Sequence, residues 1–102
     1  MRIIKEAMLR DAALRYPTAQ RWLESWRWAV RSARWKSFVD LKKVYASADL
    51  AKVQSGKNVI VFNACGNSFR LIAAIHFDRG IAYTLSFFTH VEYSKNQWKT
   101  VL

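Results

Sequence analysis

Three apolar runs separated by two turn signals occupy residues 57–93, and they constrain the fold more than any other part of the chain. The turn signals are Gly66-Asn67 and Asp78-Arg79-Gly80, and Gly and Asn tolerate the positive φ of tight hairpin turns. The runs are short and rich in Val, Ile, Phe, Tyr and Thr, which favours strands over helices. The sequence therefore predicts a three-stranded antiparallel meander over residues 58–64, 68–77 and 81–89.

The two turns also predict which side chains lie opposite each other. A two-residue turn at Gly66-Asn67 places Asn63 opposite Arg70. Closure of Phe77 onto Ile81 places Arg70 opposite Phe88 and Leu71 opposite Phe87.

Because successive strand side chains alternate between faces, the register sorts this sheet into two surfaces. One predicted face is apolar throughout: Ile60, Phe62, Phe69, Leu71, Ala73, Ile75, Phe77, Ile81, Tyr83, Leu85 and Phe87. The other carries Lys57, Asn63, Arg70, His76, Thr84, Ser86 and His90, mixed with Val59, Val61, Ile72, Ala74 and Phe88. Asn63, Arg70 and His90 fall together at one end of this second face, unless a bulge near Phe88-Thr89 turns His90 over.

The first half of the chain has helical periodicity. A helix is predicted over residues 5–16, ended by Pro17, and a second over about 19–34 with Thr18 as N-cap. Ser37-x-x-Asp40 has capping-box spacing before a short third helix. Residues 46–57 are interpreted as a connecting loop, with one further turn around 49–53 left open, and Arg2-Ile3-Ile4 is either an edge strand or the entry to the first helix.

These elements indicate one α+β domain over residues 1–102, with the helices packed on the apolar face of the sheet. No apolar run approaches the roughly 20 residues that span a bilayer, so no membrane association is expected. The single cysteine, Cys65, cannot form an internal disulfide, which is typical of a reducing cytoplasm. Cys65, His76 and His90 lack zinc-ligand spacing and no Gly-rich phosphate loop is present, so neither a metal nor a cofactor is expected.

The charge favours a polyanionic partner, since 17 Lys and Arg side chains face only 7 Asp and Glu, a net +10. Arg27, Arg31 and Arg34 form a row at i, i+4 and i+7 that could follow a phosphate backbone, or could equally be a solvated helix flank. Trp28 and Trp35 fall outside the apolar stripe of the second helix and either stack on bases or, the favoured interpretation, pack against a neighbouring element or a protein.

Three strings together resemble the HigB toxins of bacterial type II toxin–antitoxin pairs. They are Asn58-Val59-Ile60-Val61-Phe62-Asn63, Gly66-Asn67-x-Phe69-Arg70-Leu71, and Thr89-His90-x-Glu92-Tyr93. Trp35-Lys36 followed by Asp40-Leu41-Lys42 resembles the segment that precedes the sheet in that family. The resemblance covers nearly the whole chain. It implies a RelE-like fold and cleavage of messenger RNA, commonly on the translating ribosome. It also implies a HigA-type antitoxin with a helix-turn-helix fold. DNA is then contacted only indirectly, through the complex of toxin and antitoxin.

Metal-independent RNA cleavage requires deprotonation of a ribose 2′-OH, a cation for the developing charge, and an acid for the 5′-oxygen. On the site defined by register, Arg70 fits the phosphate and His90 fits a base or an acid, because its ordinary pKa lies near neutrality. Tyr93 follows on the chain and is interpreted as a base-stacking or orienting residue. Glu92 either shares proton transfer or pairs with Arg70. Further candidate RNA contacts complete the set: Asn63, Lys57, Lys95, Arg27, Arg31 and Arg34.

The chain departs from the family pattern at several positions. The resemblance implies a basic residue where this chain has Leu85, and lysines at Cys65 and Ser68. Phe88 replaces a Gly, and Ser94 an Asp. Fewer cations near Arg70 indicate an attenuated nuclease. The alternatives are a catalytically weak RNA- or ribosome-binding module of the same fold, and an interaction protein whose basic surface serves mainly to bind an acidic antitoxin.

Overall fold

The computed structural model describes all 102 residues, Met1–Leu102, as a mixed five-stranded sheet with the longer helices on one side and a short C-terminal helix on the other. The strands are β1 (Arg2–Ile4), β2 (Asp49–Lys52), β3 (Asn58–Ala64), β4 (Phe69–His76) and β5 (Ile81–Thr89). The α-helices are α1 (Glu6–Arg15), α2 (Gln20–Ser32), α3 (Phe38–Val44), α4 (His90–Ser94) and α5 (Trp98–Val101), and a 3₁₀ turn covers Pro17–Ala19. The predicted α+β class is confirmed. No helix of the structure is both long enough and apolar enough to cross a membrane.

The sheet has two more strands than the predicted meander. Its order is β1-β5-β4-β3-β2, with β1 parallel to β5 and the other pairs antiparallel. β1 resolves the alternative left open at Arg2-Ile3-Ile4 in favour of an edge strand. The interpretation of residues 46–57 as a loop is wrong, because Asp49–Lys52 pairs with β3. Three of its four residues are exposed, so backbone hydrogen bonds rather than side-chain alternation define β2.

The predicted register is confirmed around the candidate site. Asn63 pairs with Arg70, Arg70 with Phe88, and Leu71 with Phe87. Ser68 N–H donates to the Cys65 carbonyl at 3.3 Å and closes the first turn, in which Gly66 adopts a positive φ of 68°. A side chain larger than hydrogen would be strained at that φ.

The second hairpin differs from the prediction by one residue. His76, not Phe77, pairs with Ile81, and an irregularity between Ile72 and Ala73 leaves Leu85 as an extra residue on β5. The bulge therefore lies near Leu85 and not near Phe88-Thr89. Beyond it the pairing continues without interruption to Phe69↔Thr89, so His90 is not turned over.

The bulge reverses the faces of the first half of β5. Ile81 and Tyr83 lie opposite His76 and Ala74, on the second face rather than the predicted apolar one. The edge of the Tyr83 ring meets His76 at 5.5 Å between centroids. Thr84 moves the other way and is fully buried, with Oγ1 donating to the carbonyls of Ile4 and Lys5.

The helices cover the apolar face and build the main core. Trp26 and Val30 of α2 and Leu41 of α3 are completely buried there, and the edge of Trp26 meets Phe62 of β3 at 5.5 Å. The other buried residues of the main core include Leu9, Ala12, Ala19, Leu23, Ile60, Leu71, Ala73, Ala82 and Phe87. Burial of such side chains is the main stabilising contribution to a domain of this size. At the end of α2, the Met1 ammonium donates to the carbonyls of Val30, Arg31 and Ala33.

Two helix starts differ from the sequence prediction. Thr18 lies inside the 3₁₀ turn and caps nothing, because the backbone is already helical before α2 begins. Ser37 occupies the N-cap position of α3, but its side chain makes no capping hydrogen bond. The Asp40 carboxylate instead accepts from the Lys36 N–H at 2.9 Å, one residue too early for a capping box.

A smaller second core lies on the other face of the sheet, centred on the C-terminal segment. Val53, Val59, Val61 and Ile72 are buried there around Trp98 of α5, of which 2% is exposed. Leu85, Phe88 and Tyr93 pack at its margin. The second face is thus covered over part of its area by the tail.

Candidate active site

Arg70 lies near the start of β4 with only 7% of its surface exposed. Its Nη1 donates to the carbonyls of Asn67 and Phe69, at 3.2 and 2.9 Å, and its Nη2 donates to Asn67 Oδ1 at 3.0 Å. The hairpin around the Gly66-Asn67 turn therefore binds one edge of the guanidinium. Three of the five guanidinium N–H groups are used, which leaves Nε–H and one Nη2–H.

No carboxylate neutralises Arg70. The ion pairs of the structure join Arg27 to Glu6, Lys42 to Asp49 and Lys43 to Asp40. Nε of Arg70 has no hydrogen-bond partner in the protein. It is nevertheless not one of the fully buried polar atoms that lack a partner, since Trp26 Nε1 is the one such atom, and so it still reaches solvent. An almost buried cation with two free N–H groups and no acidic partner is suited to bind an anion, and the planar fork suits phosphate oxygens.

The Thr89-His90-x-Glu92 string forms a capping box at the start of α4. Thr89 N–H donates to Glu92 Oε1 at 2.9 Å, and Glu92 N–H donates to Thr89 Oγ1 at 3.2 Å. The hydrogen bond from the Thr89 backbone is the main cause that lowers the pKa of Glu92 below its usual value of 4.5. The carboxylate therefore stays ionised at neutral pH and is occupied with the helix start. It forms no ion pair with Arg70.

His90 is the first residue of α4 and is exposed. The backbone N–H of His90 donates to the Ser68 carbonyl at 2.9 Å. This hydrogen bond continues the β4–β5 pairing two residues beyond the Arg70↔Phe88 pair. Two strand residues correspond to about 7 Å, so the two backbones are close neighbours at one end of the second face. The imidazole donates to and accepts from no protein group, and both nitrogens are free for a ligand.

Tyr93 lies between Arg70 and the tail. Its ring centroid is 5.4 Å from Arg70 Cζ, a distance at which the ring face attracts a cation. The same ring stacks on Trp98, with 5.2 Å between centroids and 17° between planes. Trp98 Nε1 donates to the Tyr93 carbonyl at 3.1 Å. The structure thus brings Arg70, Tyr93 and Trp98 into one continuous contact.

The remaining predicted RNA contacts differ in position. Asn63 is half-buried beside Arg70, and its side chain makes no hydrogen bond within the protein. Lys95 is exposed at the end of α4, two residues from Tyr93. Lys57 precedes β3 and lies at the far end of that strand, about 20 Å along the chain from Asn63. Asn63 and Lys95 therefore belong to the neighbourhood of Arg70, and Lys57 does not.

The three helical arginines are not brought to this site. α2 packs on the opposite face of the sheet from Arg70, and Arg27 Nε donates to Glu6 Oε1 at 3.0 Å. The predicted row is also broken, because α2 ends at Ser32 and Arg34 lies beyond it. Trp35 packs edge-on to Tyr45 at 6.3 Å, as its favoured interpretation predicts, whereas 68% of Trp28 is exposed.

Other reactive groups lie apart from Arg70. Burial raises the pKa of the Cys65 thiol, and its Sγ lies 3.9 Å from the Thr18 carbonyl on the helix side. His76 is at the other end of β4, against Tyr83. No group of three or more His, Cys, Asp or Glu side chains lies close enough together to hold a metal ion.

Sequence reasoning did not identify two residues that contact the site. The sequence marks Asn67 as a turn residue and as part of the string that resembles the HigB toxins, but not as a partner of Arg70, although an Asn three positions before an Arg in a hairpin can reach its guanidinium. Trp98 was not singled out, and no local pattern marks it. The Thr89-x-x-Glu92 spacing was visible and is the signature of a capping box.

Comparisons with known proteins show which family the chain resembles. A family model described as HigB_toxin, RelE-like toxic component of a toxin-antitoxin system, matches residues 19–96. The "mRNA interferase toxin HigB" of Escherichia coli strain K12 is 31% identical over 93 residues, which cover 91% of this chain and 88% of the relative. The proteins named "mRNA interferase HigB" in Escherichia coli O157:H7 and Shigella flexneri match to the same extent.

Sheet, capping helix and matched segment together define a RelE-like toxic component of a toxin–antitoxin system. Within that class the chain belongs to the HigB toxin family, so the resemblance seen in the sequence is confirmed. An antitoxin is therefore a partner of this class of protein.

Proposed function

We propose that this chain is an mRNA-cleaving endoribonuclease toxin, an mRNA interferase. The observation that carries the proposal is Arg70, an almost buried guanidinium with no carboxylate partner and two free N–H groups. His90, whose imidazole makes no hydrogen bond within the protein, pairs through its backbone with Ser68, two residues from Arg70. The names of the related HigB proteins give the same activity. We further propose that the reaction needs no metal ion.

The proposed reaction is an intramolecular displacement at phosphorus. A base removes the proton of a ribose 2′-OH, and the 2′-oxygen attacks the adjacent phosphate while the bond to the 5′-oxygen breaks. An acid returns a proton to that 5′-oxygen. The products are a 2′,3′-cyclic phosphate and a 5′-hydroxyl, and the atoms and charges balance without a further reactant.

Each side chain near Arg70 has a role in this proposal. The free edge of Arg70 binds the non-bridging phosphate oxygens, whose charge grows in the transition state. His90 transfers the proton as base or acid, because an imidazole nitrogen can accept or donate a proton. Tyr93 holds Arg70 through its ring, and Asn63 and Lys95 contact the RNA. Glu92 acts by fixing the start of α4, because its carboxylate accepts from the Thr89 N–H and its own N–H donates to Thr89 Oγ1.

The partners in the proposal are messenger RNA, the ribosome and a HigA-type helix-turn-helix antitoxin. The net charge of +10 supports attraction to RNA and to ribosomal surfaces. The basic helices lie on the far side of the sheet, where Arg31 remains exposed and unpaired. DNA is reached only through the antitoxin complex.

The test is cleavage of a translated message by the purified toxin, with mapping of the new RNA ends. We expect fragments whose 5′ ends accept a labelled phosphate without prior phosphatase treatment, and cleavage that persists in EDTA. Arg70→Lys keeps the charge but loses the bidentate geometry, and should slow cleavage by about 10² to 10³, the effect of removing one transition-state donor. His90→Gln should slow it by a similar factor.

Lys52→Gln is the matched control for loss of a positive charge. Lys52 is exposed at the end of β2, and its side chain makes no hydrogen bond or ion pair. Its cleavage rate should stay within about twofold of wild type, because exposed charges are screened. RNA or ribosome binding without any cut ends would overturn the nuclease and favour the non-catalytic binding module. Full cleavage by folded Arg70→Lys and His90→Gln variants would overturn the site.

A further inference from the structure

We propose that Trp98 is a positioning residue of the RNA-cleaving site, which fixes the orientation of Arg70 through the ring of Tyr93. The inference rests on the proposed function and extends it to a segment beyond residues 19–96, the part that the HigB family model matches. Trp98 touches neither Arg70 nor any reacting atom in this arrangement.

The contacts form a chain from the tail to the guanidinium. The Trp98 indole stacks on Tyr93 at 5.2 Å and 17°, and its Nε1–H binds the Tyr93 carbonyl at 3.1 Å. Trp98 therefore fixes both the ring and the backbone of Tyr93. The ring in turn lies 5.4 Å from Arg70 Cζ.

Trp98 is itself held firmly. Only 2% of it is exposed, and it packs among Val53, Val59, Val61 and Ile72 in the second core. Its segment is tied to the β2–β3 connection, where Gln54 N–H donates to the Lys99 carbonyl at 2.9 Å. An indole held by a core and by backbone hydrogen bonds is a rigid support for a stacked ring.

The helix that carries Tyr93 cannot provide that rigidity alone. α4 has five residues, His90–Ser94, and a helix so short is unstable without packing. The polar contacts of Arg70 all come from Asn67 and Phe69 on its own hairpin. Contact from Tyr93 is what links Arg70 to the helix that begins with His90. Without Trp98, we expect Tyr93 to sample several rotamers and Arg70 to lose its alignment with His90.

The first experiment measures single-turnover cleavage of a translated message by Trp98→Ala and Trp98→Phe. Because a displacement of about 1 Å can cost 10²-fold in rate, Trp98→Ala should lower kcat by at least about tenfold with KM within about twofold. Trp98→Phe keeps a stacking ring and should recover the rate to within about threefold of wild type. Trp98→Leu replaces Trp98→Ala if that variant does not fold.

Val30→Ala is the matched control. Val30 is completely buried in the main core on the opposite face of the sheet, so its truncation lowers stability without touching Tyr93. At a temperature where every variant is folded, its kcat should equal that of wild type. An equal fall in kcat for Val30→Ala and Trp98→Ala would mean that lost stability explains the rate, and would overturn the proposal.

The second experiment does not depend on catalysis. The Nε–Hε resonance of Arg70, observed by NMR, should be displaced by the ring current of Tyr93 in wild type. It should move toward the free-arginine position in Trp98→Ala and stay in place in Val30→Ala. Absence of RNA cleavage by wild type would refute the proposed function and leave this readout intact. An unmoved resonance and an unchanged kcat in Trp98→Ala would refute the role of Trp98 alone.

Discussion

Substitution of Glu92 distinguishes a capping carboxylate from a catalytic one. In the wild-type protein the Thr89 N–H donates to Glu92 Oε1 at 2.9 Å. Glu92→Gln retains a side-chain oxygen that can accept this hydrogen bond, so the capping box can persist. Glu92→Ala removes that acceptor and leaves the Thr89 N–H without a protein partner. If Glu92 only stabilises the start of α4, the two variants should differ sharply in their effects.

The expected loss of stability in each variant follows from whether the hydrogen bond from the Thr89 N–H to residue 92 is kept or lost. Loss of a helix cap costs about 1 kcal/mol, so Glu92→Ala should lower the melting temperature by roughly 4–8 °C for a domain of this length. Glu92→Gln keeps the oxygen but loses the charge, whose interaction with the N-terminus of a short exposed helix contributes about 0.3–1 kcal/mol. It also loses the attraction of that charge to Arg15. Since α4 begins with His90, its fraying in Glu92→Ala should also lower the cleavage rate. Glu92→Gln should stay within about threefold of the wild-type rate, well short of the 10²–10⁴ that general acid–base catalysis contributes.

The assay combines thermal unfolding with cleavage of a translated message at a temperature where all forms are folded. Ser94→Ala, which removes the hydroxyl that donates to the His90 carbonyl at 2.8 Å, is a control for an altered polar contact in the same helix. A Glu92→Gln variant with wild-type stability and a hundredfold lower rate would refute the reasoning. Its carboxylate would then have to carry a proton.

Three further predictions follow from charge and burial. Because the folded-state pKa of Glu92 is lowered, its stabilising contribution is present above its ordinary value of 4.5 and is lost as the pH falls through the lower folded-state value. Glu92→Gln should therefore flatten the loss of unfolding free energy below about pH 4.5, and parallel curves for the two proteins would contradict this. Burial raises the pKa of Tyr45 to about 12, so the unfolded chain releases that proton first and stability falls as the pH rises from 10 toward 12. Tyr45→Phe should remove part of that fall in denaturant titrations, and an unchanged slope would count against it. Arg31→Gln, on the side of the sheet opposite Arg70, should change cleavage of a short RNA by less than about twofold while reducing the salt dependence of ribosome binding. A large loss of cleavage on the short RNA would place part of the active site on α2.

The central strands were predictable because short apolar runs are separated by turns that glycine marks. Phe62, Leu71 and Phe87 lie opposite one another on β3, β4 and β5, and all are on the helix side of the sheet. A slip by one residue would carry them out of the main core, so their burial and the Gly66-Asn67 turn together fix the register near Arg70. The pairing of Asn63 with Arg70 follows from both.

The edge strands and the site geometry were not predictable for a different physical reason. Asp49–Lys52 is mostly exposed, and its pairing with β3 depends on backbone groups that every sequence has. Trp98 reaches Tyr93 through a turn at Asn96, whose φ is 59°, and no periodic pattern marks such a turn. The clustering of Asn63, Arg70 and His90 was derived from register, whereas the support of Arg70 by Asn67 and Tyr93 required side-chain positions.

The bulge at Leu85 explains why the predicted register near Arg70 is right although the predicted hairpin loop is one residue too short. The loop before Ile81 is one residue longer than expected, and the extra residue at Leu85 restores the original pairing before Phe87 and Phe88. Leu85 itself turns to the second face and packs beside Trp98 in the second core. The resemblance to HigB toxins implies a basic residue at this position, so an apolar contact stands here in place of a cation. In the proposed reaction, fewer charges near Arg70 would make stabilisation of the phosphate depend more on the placement of that one guanidinium. The core that Leu85 shares with Trp98 is where we propose that this placement is supported, through the ring of Tyr93.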